Sequence, residues 1–119
     1  MQVVRLNRAN EDFYAQMGPV FGSRHIEKET NDRFYDDAGK QWYLITGRGA
    51  ASVMGVTIKN FWADSPEAAA ALIDAMRVDA VEALCGVIPR RHRTVFEAAG
   101  FSCLEHRRNF MEVRDRIKR

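Results

Sequence analysis

Arg90, Arg91, His92 and Arg93 stand together directly after an apolar run, residues 83–88, that ends at Pro89. Each guanidinium can hold an oxyanion with two parallel hydrogen bonds, and an imidazole that titrates near neutral pH can move a proton. The residues that follow read as a short helix closed by Gly100 in the left-handed position just past its end. Pro89 suits the first helical turn, where its missing N–H has no partner to lose. The reading is a strand feeding a helix whose free N–H groups and dipole lie beside three cations. Such a place suits the phosphates of a coenzyme, a nucleotide or a nucleic acid. Arg90, Arg91 and Arg93 are therefore the candidate binding residues, and His92 is a candidate for proton transfer. The plain alternative for His92 is a surface side chain with no chemical role.

His25 and Glu29 are a second candidate pair. At i and i+4 they share a helix face, and a His–Glu pair so placed can take a proton from an amine; it can equally be a surface hydrogen bond. No further carboxylate or histidine follows at ligand spacing, so no metal site is expected. Asp36 and Asp37, close to Gly39, read as turn formers. Trp42, Tyr43, Phe61 and Trp62 read as core or cleft-wall aromatics, with base stacking open to Trp62 where its strand ends. Cys85 and Cys103 fall in expected strands, have no partner at metal or redox spacing, and are read as buried free thiols.

The elements that must position these groups follow from pattern. Val3, Val4 and Leu6 make an opening strand. Asn10 is placed to cap a first helix through Phe13, Tyr14 and Met17, which Gly18-Pro19 ends. Ser23 caps a second helix through Ile26 and Glu29. Residues 41–46 have strand content, Gly47-Arg48-Gly49 signals a hairpin, and residues 50–61 answer as one long strand. Ser65-Pro66-Glu67 is a strong helix start, leading through Ala70, Leu72, Ile73 and Met76 toward Val78. Then come the strand at 83–88, the helix behind Arg90 and a closing strand pair over 102–113. Mixed order of this kind predicts an α/β fold, a central mixed sheet flanked by helices.

A chain of 119 residues, 46% hydrophobic and 29% charged, is expected to form one domain over 1–119. Its longest apolar stretch is far too short to span a bilayer and its first residues lack a signal-peptide core, so no membrane partner and a cytoplasmic location are expected. Net charge is only +2, but from Arg90 onward nine Lys or Arg stand against four Asp or Glu. A basic final third suggests an anionic ligand or partner, while residues 114–119 read more simply as a solvated basic tail.

The stretch Val95-Phe96-Glu97-Ala98-Ala99-Gly100-Phe101 resembles the second half of the penultimate-helix pattern of the GNAT superfamily of N-acetyltransferases. The final strand pair looks like that family's as well, so the resemblance covers roughly the last third of the chain. It implies a GNAT-like domain that moves an acyl group from acetyl-CoA, or another acyl-CoA, to an amine. In the family the coenzyme lies where two parallel strands splay apart, its pyrophosphate on a glycine-rich loop that opens the long helix. This chain has Asn60-Phe61-Trp62-Ala63-Asp64-Ser65-Pro66-Glu67 there, without glycine and with two acids. The family's proton-donating tyrosine corresponds to Phe96, and its helix-start asparagine to Pro89. The chain thus resembles a small divergent member. Similar small proteins of tailed phages include enzymes of the Mom type that modify DNA bases. The resemblance therefore implies a small-molecule amine or nucleic acid as acceptor. Competing expectations are a cofactor-free, catalytically inactive GNAT-like fold serving as a phage structural or interaction protein, able to self-associate as a homodimer, and a small nucleic-acid-binding module.

Overall fold

The computed structural model describes residues 1–116, so Ile117, Lys118 and Arg119 of the expected basic tail lie outside the described residues. Strand β1 (Val4–Leu6) leads into helices α1 (Phe13–Phe21) and α2 (Arg24–Thr30). Strands β2 (Gln41–Ile45), β3 (Gly49–Met54) and β4 (Thr57–Ala63) form an antiparallel meander. Helix α3 (Pro66–Asp79) crosses to β5 (Cys85–Pro89). A 3₁₀ turn (Arg90–His92) and α4 (Arg93–Ala98) then precede the hairpin of β6 (Phe101–Arg107) and β7 (Phe110–Asp115). Among the described residues these make one seven-stranded sheet, ordered β1-β2-β3-β4-β5-β7-β6. This is the mixed α/β architecture that the pattern predicts.

Three local expectations are corrected. The single long strand over 50–61 is two strands, because Gly55 takes φ 65° and Met54 pairs with Thr57 across a two-residue turn. A glycine in that conformation at the first turn position reverses a hairpin, and alternation alone does not reveal it. The first helix starts at Phe13 rather than from Asn10, whose side chain instead accepts the Asn7 N–H at 2.8 Å. It also runs past Pro19 to Phe21, since Val20 is buried and the Phe21 ring packs edge-on against Trp42 at 5.2 Å. Finally, Pro89 ends β5 instead of opening a helix, and the tight 3₁₀ turn stands between it and a six-residue α4.

Other start and stop signals act as read. The Ser23 Oγ accepts the Ile26 N–H at 3.1 Å and the Ser65 Oγ accepts the Ala68 N–H at 3.2 Å. Gly100 lies at φ 95° behind α4. Cys85 and Cys103 are half-buried free thiols on β5 and β6.

Two cores form on the sheet. One gathers α3, α4 and the closing hairpin around Leu72, Ile73, Phe96 and Met111; the other gathers α1 and α2 around Phe13, Met17, Ile26 and Trp42. Between β4 and β5 the pairing is parallel and limited to Thr57 with Cys85 and Ile58 with Gly86. The strands touch so closely there that a Cβ on Gly86 would lie 2.5 Å from the Ile58 carbonyl oxygen. Beyond that point β4 continues to Ala63 and β5 to Pro89 without pairing to each other, and the gap they leave organises the candidate site.

Candidate functional site

Where the strands part, rings from their two sides meet. Phe61 projects from β4 and meets Phe96 of α4 at 4.9 Å between centroids, and His92 at 5.1 Å, both nearly edge-to-face. Phe96 in turn meets Phe101 at 5.0 Å. All four are buried, so ring packing joins β4, α4 and the turn beyond β5 where backbone pairing between the two strands has ended.

His92 is thus no surface residue. The 3₁₀ turn sends it inward at 6% exposure while Arg91 and Arg93 face solvent. Burial first, and the Arg91 charge second, push its pKa down to about 4. Its Nε2 is buried and has no hydrogen-bond partner among the described residues. In this packing it is a neutral ring in an aromatic cluster, not a base that a substrate can reach.

The three arginines do not converge on one anion site. Arg90 pairs with Glu105 on β6, Arg91 with Glu29 on α2, and Arg93 with Glu97 one turn along α4 at 3.3 Å. Three separate carboxylates balance the three guanidinium charges. Nor is the first backbone N–H of the turn free, since Arg90 N donates to the Asn109 carbonyl at 2.9 Å.

Residues far apart in sequence do meet at Glu29. Its Oε1 accepts the Trp62 indole N–H at 3.0 Å and faces His25 Nε2 at 2.9 Å, while Oε2 takes Arg91. The i,i+4 pair therefore forms, and it lies beside the 90–93 turn. Arg91 first, then the Trp62 hydrogen bond, hold the Glu29 carboxyl below its usual range. A carboxylate so stabilised is a poor proton acceptor. Trp62 is 5% exposed, too little for a base to stack on its ring in this packing.

The start of α3 is also occupied. Ser65 caps it, Pro66 removes an N–H, and Asp64 pairs with Arg48 at 3.0 Å. Arg48 also donates to Ser65 Oγ at 3.0 Å and holds the Asp64 carboxyl below its ordinary range. The carboxylate at this helix start is thus matched by the Arg48 guanidinium, and neither group is left without a partner.

Sequence reading missed a buried polar network on the α2 side. Lys40, 7% exposed, donates to Asn60 Oδ1 at 3.1 Å and to the Tyr35 carbonyl at 3.3 Å, with its ammonium 4.4 Å from the Tyr35 ring. Ser52 also donates to Asn60 Oδ1, and the Asn60 amide donates to Asp32 at 3.0 Å. Burial moves the Lys40 pKa down and that of Asp32 up. The one signal in the sequence was Asn60, a lone amide inside an otherwise apolar end of a strand.

Among the described residues no group of three or more His, Cys, Asp or Glu is placed to hold a metal ion, and no helix is long and apolar enough to cross a membrane. No family model, curated protein or solved structure matches this chain.

Proposed function

We propose that this chain is a GNAT-like domain whose acyl-coenzyme slot is closed by its own side chains, and that it works by binding a partner, as a structural or interaction protein. The sheet order and the parting of parallel β4 and β5 support the GNAT-like part of the reading. The observation that carries the rest is the packing of Phe61, Phe96 and His92 in the wedge where a coenzyme arm would run. The residues present do not fit acetyl-CoA. The wedge holds rings, the helix start beyond it holds Asp64 and Glu67, and the nearby arginines hold carboxylates.

A second reading, acyl transfer to an amine, draws on the meeting of His25 and Glu29 beside the same wedge. It requires Phe61 and Phe96 to separate, at the cost of a large part of the core. A melting scan with millimolar acetyl-CoA, succinyl-CoA and free CoA tests both. The binding-protein reading expects no rise in melting temperature, whereas a rise of several degrees for an acyl-CoA returns the chain to the enzymes.

A further inference from the structure

Ion pairs account for Arg5, Arg8, Arg48, Arg77, Arg90, Arg91 and Arg93. Eight exposed cations have no carboxylate ion pair among the described residues, and six of them line two grooves on one side: Arg24, Lys28, Arg33, Lys59, Arg107 and Arg108. The first three line a groove of about 680 Å³ along α2 and the loop after it. The other three line a groove of about 370 Å³ between that loop, β4 and the β6–β7 turn. Asn31 and Asp32 belong to both, so the grooves adjoin. Only Glu27 and Asp32 supply negative charge, and Asp32 is committed to the Asn60 amide and to the Arg33 backbone N–H at 2.8 Å.

Unpaired cations crowded on one surface raise its potential and draw a polyanion to it. The second groove also has an aromatic wall. Phe110 is half-buried there, with the Arg107 guanidinium 5.8 Å from its ring centroid. Cations along a groove together with a ring suited to stacking are the means by which single strands are held without sequence preference. An acidic peptide would use the cations but leave the ring unexplained.

We infer that the two adjoining grooves bind single-stranded nucleic acid, with the six cations meeting phosphates and Phe110 meeting a base. This surface is distinct from the closed wedge, and the inference holds whether or not that wedge admits an acyl-CoA.

Fluorescence anisotropy with a labelled oligothymidylate of about 20 nucleotides tests it, at about 50 and 200 mM salt. Saturable micromolar binding is expected at the lower salt, with log affinity falling by about 0.7 per log unit of salt for each phosphate contacted. Lys59→Ala with Arg108→Ala should weaken binding at least tenfold, as should Lys28→Ala with Arg33→Ala. Arg90→Ala with Arg93→Ala removes the same charge from paired positions and should change affinity less than twofold. Melting temperatures of the three doubles show which of them remain folded, and either groove double suffices for the comparison. Absence of binding at low salt overturns the inference. So does equal weakening by the Arg90/Arg93 double, which would reduce the effect to net charge. Binding of polyglutamate through the same residues, with none of the oligonucleotide, would assign the surface to an acidic protein instead.

Discussion

Glu29 of α2 accepts the indole N–H of Trp62 from β4 at 3.0 Å, just where β4 has left β5. Through its other oxygen the same carboxylate takes Arg91 from the turn beyond β5, so one side chain joins both sides of the gap. The contact is charge-assisted, with Glu29 26% and Arg91 44% exposed, so solvent screens the Arg91 part of it. Glu29→Ala should cost about 2 kcal/mol and Glu29→Gln about 1 kcal/mol in urea unfolding, because the amide still accepts from Trp62 while losing its charge.

Phe96 is fully buried and touches both Phe61 and Phe101. Phe96→Ala should destabilise the fold by about 3–5 kcal/mol through the cavity left behind. Phe96→Tyr should also destabilise, since the rings packed around this fully buried side chain must shift to admit another oxygen. Equilibrium denaturation of both variants checks this.

His92 makes stability depend on pH in a definite direction. The unfolded chain takes up a proton at this residue near pH 6.5, and the folded protein resists until about pH 4. The unfolded state thus binds more protons across that window, so stability is full above pH 6.5 and falls as pH drops toward 4. The shift corresponds to on the order of 3 kcal/mol. Unfolding free energies measured from pH 7 to 4 should slope accordingly, and His92→Phe should flatten the slope.

The limited pairing of β4 with β5 rests on Gly86. A Cβ there would lie 2.5 Å from the Ile58 carbonyl oxygen and 3.0 Å from its nitrogen, both backbone atoms that cannot step aside cheaply. Gly86→Ala should cost about 3 kcal/mol, at the top of the range for overpacking. Gly18→Ala, where the added methyl meets nothing within 4 Å, should leave stability unchanged or higher. Thermal unfolding of the two alanine variants makes the comparison.

How far the sequence reveals this molecule depends on the range of each interaction. Ser23, Ser65 and Gly100 act within a few residues of themselves, and their roles were readable. The strand at 83–88 and the burial of Phe96 were readable too, from apolar content and helical spacing. The turn at Gly55 was not, because its neighbours continue the alternation that marks a single strand. In the site, the His25–Glu29 contact followed from spacing. The carboxylates that claim Arg90 and Arg91 lie 15 and 62 residues away, and no local pattern announces them. Lys40 and Asn60, 20 residues apart, were invisible as a pair for the same reason.

The closed wedge is the centre of the account, and amide-resolved NMR of the labelled protein titrated with acetyl-CoA tests it most directly. With Phe61, Phe96 and His92 packed together there, the amides of Phe61, Ala63 and Ala68 should stay unmoved at about 1 mM ligand, which requires a Kd well above that value. Saturable micromolar shifts running along β4 and into the start of α3 would show that the rings part for the coenzyme, and the closed-slot account would be wrong.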